Sequence, residues 1–254
     1  IMNFHGTFEP KPFSNLLKKT FFLVSLAILA SCSSTKWSAT GTDQEQMLAD
    51  ITYLADDKLE GRTFGSKGEM KAGDYIAKRY KQLGLKPMGE NGTWFQELTV
   101  KNPNPHTVEF AAKGENESKS GRNVLGYLDH GAPYTIILGA HYDHLGTKGE
   151  DIYFGADDDA SGNAALMETA RLFQKAKTEG KGPERSILFL HVCGEEIGLF
   201  GSKYYTSHPV FPLQQTVVNM NVDMVGRIDD KHKNDSDYVY LIGSDKLSKE
   251  LHDL

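Results

Sequence analysis

Cysteine is almost absent from the 254 residues, occurring only as Cys32 and Cys193. Cys32 follows one apolar run, and Cys193 lies inside another, "SILFLHVCG" at 186–194. The two read as a processing-site residue and a small core residue, so no disulfide is expected. A long basic run is also missing, and the formal net charge is -6. That balance argues against a nucleic-acid partner and favours a small substrate or a peptide. No apolar run reaches the roughly 20 residues of a comfortable membrane span. What remains is ordinary globular material, 39% hydrophobic and 24% charged, enough for one sizeable core and one catalytic-sized domain.

The first residues stand apart from that core. Lys11, Lys18 and Lys19 precede "FFLVSLAILA" at 21–30, the length and flank of a signal-peptide core. The "LASC" that overlaps its end, at 29–32, resembles the bacterial lipoprotein signal. The resemblance implies a signal peptide over 1–32, a lipidated Cys32 as the first mature residue, and a tether over 33–42. Several acyl chains on Cys32 give stable attachment to a membrane, placing the folded part, 43–254, outside the cytoplasm in the bacterial cell envelope. Ile1 precedes Met2, which reads as a translated fragment.

After the tether, helices and strands alternate. "DQEQMLADITYLA" at 43–55 puts Met47, Leu48, Ile51 and Leu54 on one helical face, with Asp43 and Gln46 spaced as a capping box. Ser66 and Glu69 form a second such box, opening a helix through Ile76, Tyr80 and Leu83 that stops at Gly84. Residues 101–122 are polar and read as a strand fragment or hairpin between loops. The aliphatic runs "NVLGYL", "YTIILGA", "SILFLHV" and "TVVNMNV" lack strict alternation, as in strands buried on both faces of a mostly parallel sheet. Between the second and third, "SGNAALMETARLFQKAK" carries Ala165, Leu166, Thr169, Leu172 and Phe173 on one helical face. This is an α/β pattern, a mostly parallel mixed sheet sandwiched by helices.

In open α/β sheets the site lies at the carboxyl ends of the strands. There the sequence reads "AHYDHLG" after the second run, "GEEIGLFGS" after the third and "VDMVGR" after the fourth, with "GADDDASGN" at 155–163 in the loop between the second and third. Each alone has an ordinary structural use: a loop histidine, a solvated helix start, a turn aspartate, a helix cap. Together they are metal-ligand types at successive strand ends, and a cation is what lets three adjacent carboxylates crowd one turn.

The ordered set "HYDH", "GADDDASG", "GEEIGLFGS" and "NVDMVG" resembles the dinuclear zinc aminopeptidase family that includes bacterial leucyl aminopeptidases and glutamate carboxypeptidase II. The likeness runs from about residue 50 to 254. It implies a zinc-peptidase (phosphorylase/hydrolase-like) architecture holding two Zn2+ and acting on peptides. His141 would ligate one zinc, with Asp143 orienting its ring. Asp158 would bridge both ions and be joined to Asp159 by a strained, possibly cis, peptide. Glu195 would be the general base, Glu196 a ligand of one zinc, and Asp223 a ligand of the other. Zinc accepts imidazole and carboxylate, and two ions about 3.5–4 Å apart need one carboxylate that reaches both. The Ser161-Gly162 step would let the following helix start close beneath the metals.

The pattern departs from the family in one place. A second histidine is expected much later, after further strands and helices, whereas the sequence stops at Leu254 within "SDKLSKELHDL". A sequence truncated at its C-terminus is the expectation, with His232 and His252 as the remaining candidates. His144, His191, Tyr204 and Tyr205 lie near the motifs and read as core or rim packing. Three other readings stay open. A co-catalytic dipeptidase or deacylase would have a lysine-glycine step after the bridging aspartate and a lid-sized insertion. A glutaminyl cyclase would use one zinc. A peptide-binding lipoprotein on an inactive scaffold would have no use for Glu195.

Overall fold

The computed structural model describes residues 41–253 apart from 105, 106 and 236. The expected signal peptide and lipidation site, with most of the tether, lie outside the described residues. Among the described residues no helix is long and apolar enough to cross a membrane.

Helix α1 (Gln44–Leu54) and helix α2 (Lys67–Leu83) begin at the caps that the sequence marks. Asp43 accepts from the Gln46 N–H at 2.9 Å, and Ser66 from the Glu69 N–H at 3.0 Å. The reciprocal half of each box goes elsewhere. Gln46 donates to Asp50, and Glu69 accepts from the Gly65 N–H. Helix α2 ends at Gly84, whose φ of 77° is a left-handed stop that glycine adopts without a Cβ penalty.

Among the described residues nine strands follow: β1 (Lys86–Pro87), β2 (Phe95–Asn104), β3 (Thr107–Phe110), β4 (Ser118–Leu128), β5 (Thr135–His141), β6 (Gly146–Lys148), β7 (Asp151–Tyr153), β8 (Ser186–Val192) and β9 (Thr216–Asn221). Helix α3 (Gly162–Thr178) connects β7 to β8, and α4 (Phe200–Ser207) follows β8. The main sheet has the order β3-β2-β4-β8-β5-β9, with β1 beside β4, while β6 and β7 form a separate hairpin. The sheet is mixed, and its parallel part is β8-β5-β9. Strand β4 pairs antiparallel with β8, so β2, β3 and β4 form an antiparallel extension over 95–128, whose later part is the polar segment that reads as a strand fragment or hairpin.

Side chains alternate across β8. Ile187 and Phe189 join a core with Ile76 and Tyr80 of α2 and Leu166 and Met167 of α3, while Leu188, Leu190 and Val192 pack with Tyr205 of α4. Helices therefore cover both faces, which explains why β5 and β8 read as continuous apolar runs. Strand β9 is different: Val217 and Met220 are exposed, because it is the edge strand among the described residues.

Candidate metal centre

Parallel pairing sets β5 and β8 in register with His141 opposite Val192, so the segments after them leave the sheet side by side. One carries His141, Asp143 and His144, the other Glu195 and Glu196. The turn 156–161 leads into α3 above them, and the Asp158–Asp159 peptide within it is cis. Gly155 opens that turn at φ 60°, where a Cβ would lie 2.4 Å from the Asp158 carbonyl oxygen and 2.6 Å from His144 Cγ. Only glycine fits.

The three aspartates point to different places. Asp157 accepts from the Gly226 N–H at 3.0 Å and from Arg227 Nε at 3.1 Å. Asp159 is buried and accepts from Gly162 N–H at 2.9 Å and Met224 N–H at 3.3 Å. These two brace the loop after β9 that carries Asp223. Asp158 instead places Oδ1 3.0 Å from His141 Nε2, and Asp223 Oδ1 lies 3.8 Å from the same nitrogen. At Gly162 a Cβ would come within 2.3 Å of Asp159 Oδ1 and 2.5 Å of the Val222 carbonyl, so the helix starts as close beneath the site as the Ser161-Gly162 step suggests.

On the other ring nitrogen, His141 Nδ1 is 3.2 Å from the Asp143 carbonyl oxygen and 3.7 Å from its carboxylate. The nearer partner is the main chain, and the Asp143 carboxylate accepts from the Glu195 N–H at 3.1 Å. Two groups of potential ligand atoms result, His141 with Asp159 and Asp223, and His144 with Asp158 and Glu196, each within 4.8 Å of one another. Asp158 lies between them, touching His141 while belonging with Glu196. An open cleft of about 620 Å³ runs past His144, Gly155, Asp158, Ser161, Met224 and Arg227.

Charge is unbalanced here. Burial pushes the Asp159 carboxyl up to about 8 and raises that of Asp158, which Glu196 raises further. Burial also raises the Glu195 carboxyl, with His141 opposing and Asp143 adding to the rise. Burial pulls the His141 imidazole down, but its contacts with Asp143 and Asp223 prevail and hold it at about 11. The carboxylates thus favour positive charge at His141, where a cation and a proton compete. Asp143 Oδ2, His144 Nδ1, Asp159 Oδ2 and Glu196 Oε1 are buried without hydrogen-bond partners. Three of these atoms belong to residues of the two ligand groups, His144, Asp159 and Glu196, and unpartnered imidazole and carboxylate atoms are a donor set that zinc fits.

Two residues of this centre escaped the sequence reading of the site. The sequence reads His144 as packing, whereas its Nδ1 stands 2.6 Å from Glu196 Oε1. Arg62, 1% exposed, donates from Nε to the Tyr142 carbonyl at 2.9 Å, and from its two Nη atoms to the carbonyls of Leu54, Phe154 and Gly155. Burial lowers its guanidinium to about 10, still charged at neutral pH. His191 is a core residue as read, between the Tyr80 hydroxyl and Asn163, with burial pushing its imidazole down to about 3. His232 stacks on Tyr238 at 3.7 Å between ring centroids, and His252 contacts Ser244, so neither joins the two ligand groups.

Residues 123–250, from β4 through every motif of the centre, match the model of peptidase family M28. The chain belongs to peptidase family M28. This is the family that the order of motifs resembles. The aminopeptidase YwaD of Bacillus subtilis is 33% identical over 115 residues, covering 43% of this chain and 23% of that protein. The first curated relatives matched are spanned over 9%, 16% and 23% of their length. Among solved structures, a Zn-dependent exopeptidase from Parabacteroides distasonis superposes with a TM-score of 0.54 at 22% identity, covering 72% of this chain and 61% of that one. A Bacteroides thetaiotaomicron glutaminyl cyclase bound to N-acetylhistamine gives 0.53 at 20% identity, covering 73% and 63%. At these identities the likeness is one of fold.

Proposed function

We propose that this chain carries the catalytic part of a metal-dependent exopeptidase that hydrolyses the N-terminal residue from peptides, with two zinc ions in the complete site. The observation behind this reading is the meeting of His141, Asp158, Glu196 and Asp223, drawn from three strand ends and one turn, with Glu195 in the electrostatic field of His141, Glu196 and Asp223. His141 and Asp223 would hold one ion, Glu196 the other, and Asp158, lying between the groups, would bridge them. Zinc bound there supplies Lewis acidity toward a peptide carbonyl and acidifies water toward neutral pH. Glu195 takes the proton from the attacking water and passes it to the leaving amine, a task suited to a carboxyl raised by burial. Asp143 fixes the main chain of Glu195 and stands beside the far nitrogen of His141. Preference for a free N-terminus rests on family membership, since the ligand spacing alone specifies metal-assisted amide hydrolysis. Lipid attachment at Cys32 would hold the domain outside the cytoplasm, at the bacterial cell envelope.

The test pairs zinc content per chain with hydrolysis of a leucine chromogenic substrate and its N-acetylated form. Two zinc equivalents with cleavage of the free amine alone support the reading. Equal cleavage of the blocked substrate removes the aminopeptidase part. One zinc, with cyclisation of an N-terminal glutamine peptide and no hydrolysis, points to the cyclase use of this fold.

A further inference from the structure

The first turn of α3 buries an amide where a helix facing a sheet usually carries an aliphatic side chain. Asn163 is fully buried, as are His191 of β8 and Tyr80 of α2, and Tyr80 belongs to the apolar core with Ile76, Leu166 and Phe189. Buried polar groups are costly unless each is paired. These three are paired in a single line.

Asn163 Nδ2 donates to the main-chain carbonyls of His141 and Asp159. Carbonyls only accept, so the amide faces them one way round, which leaves its Oδ1 2.5 Å from His191 Nδ1. An amide oxygen also only accepts. The His191 ring, kept neutral by burial, therefore carries its proton on Nδ1, and its bare Nε2 accepts from the Tyr80 hydroxyl. Gly126 of β4 seats the Tyr80 ring, since a Cβ there would come within 2.5 Å of Tyr80 Cδ2.

The line thus has one direction: Tyr80 O–H to His191, His191 N–H to Asn163, Asn163 N–H to two carbonyls. Those carbonyls belong to separate parts of the centre. His141 closes β5, and Asp159 lies in the turn 156–161 beside Asp158, whose Oδ1 stands 3.0 Å from His141 Nε2. One amide spans the two segments. An apolar trio would fill the same space without fixing their separation.

Resting on the metallopeptidase reading, we infer that Asn163 is a positioning residue of the centre: its amide, oriented through His191 by Tyr80, sets the distance between the end of β5 and the turn 156–161, and so the spacing of His141 and Asp158. It reaches neither ion nor substrate.

The test measures zinc affinity of the folded full chain by chelator competition, with kcat and KM for the leucine chromogenic substrate, in Asn163→Leu and Tyr80→Phe. Asn163→Leu keeps the volume and removes the amide. It should weaken zinc binding by ~10-fold or more, the scale of losing an outer partner of a ligand residue, and lower kcat with little change in KM. Tyr80→Phe removes only the far hydroxyl and should give a smaller loss in the same direction, which decides the matter should Asn163→Leu not fold. Urea unfolding of the zinc-free chains separates placement from stability. Lowered stability with unchanged zinc affinity and kcat overturns the inference and leaves the line a packing device, with the peptidase reading standing. A second readout uses the unaltered chain: ¹⁵N resonances of His191 should show the proton on Nδ1, and a ring protonated on Nε2 instead reverses the line and overturns the inference. An unaltered chain that binds no zinc overturns the metallopeptidase reading and the inference together.

Discussion

The Asp143 carboxylate accepts the main-chain N–H of Glu195 at 3.1 Å, across the seam between the segments that follow β5 and β8. One residue that flanks the candidate ligand His141 thereby holds the candidate base. The position of Glu195 is a product of the parallel pairing of β5 with β8, not of its own loop. Replacing Glu195 by Gln keeps that main-chain bond and removes only the proton acceptor. Turnover should fall by ~10²–10⁴-fold while zinc content is unchanged. Rates within a factor of two of the unaltered chain would take the base role from Glu195.

Asp143 has a second use that the same geometry exposes. Its Oδ2 is buried without a partner, and its carboxylate charge faces His141. Asp143→Asn retains an oxygen for the Glu195 N–H but removes the charge. Zinc affinity at the His141 group should drop by ~10–100-fold, with kcat reduced and little change in KM. Competition against a chromogenic chelator measures this, and unaltered affinity would leave Asp143 a loop clamp only.

Arg62 is the keystone of the segments around the centre. Its guanidinium satisfies the carbonyls of Leu54, Tyr142, Phe154 and Gly155 from a buried position. Arg62→Met leaves the carbonyls of Leu54, Tyr142 and Phe154 facing apolar surface, while that of Gly155 keeps the Ala160 N–H, each unpaired carbonyl costing ~1–3 kcal/mol before relaxation. A loss of ~4 kcal/mol or more is expected in urea unfolding, in the exceptional range for one substitution. Arg62→Lys, a point charge with fewer donors, should recover only part of it. A loss under ~1 kcal/mol for Met would mean that water replaces the guanidinium.

Zinc should stabilise the fold because the ligand atoms come from segments far apart in sequence and meet only when β5, β8 and β9 pair. Binding to the native chain alone adds about 2.7 kcal/mol at a hundredfold excess over Kd. The melting temperature should rise with added zinc and fall with chelator, and Asp158→Asn should blunt the response. A melting temperature indifferent to both treatments would show that no ion binds the folded chain.

Much of this was legible because α/β sheets make strand ends the address of the site. Aliphatic runs announced β4, β5, β8 and β9, and the residue types after them announced His141, Glu195, Glu196 and Asp223. The turn holding Asp158 was legible from three carboxylates in a row. Arg62 was not, since its partners are main-chain carbonyls, which have no residue signature. His144 was visible as a residue, but its neighbour Glu196 is brought to it by strand pairing across some fifty residues, which no local pattern encodes. The exposure of β9 was hidden for a related reason: an apolar run reports that a strand prefers burial, not which edge of the sheet is covered.

Glu69 provides a pH dependence set mainly by its own burial, with a contribution from Asp143 of the metal centre. It is fully buried against Tyr142 and the Gly65 N–H, and burial pushes its carboxyl from about 4.5 up to about 8. The folded chain therefore holds a proton that the unfolded chain has released between those two values. Stability is greatest below about pH 4.5 as far as this group is concerned, and declines as pH rises toward 8. Glu69→Gln keeps an acceptor for Gly65 and cannot ionise, so it should flatten that decline and make the chain more stable at pH 8. Melting temperatures from pH 5 to 8 in excess zinc, which holds the metal ligands saturated, compare the two chains directly. Parallel curves would mean that Glu69 is ionised in the fold, its charge carried by the Gly65 amide and the Tyr142 hydroxyl.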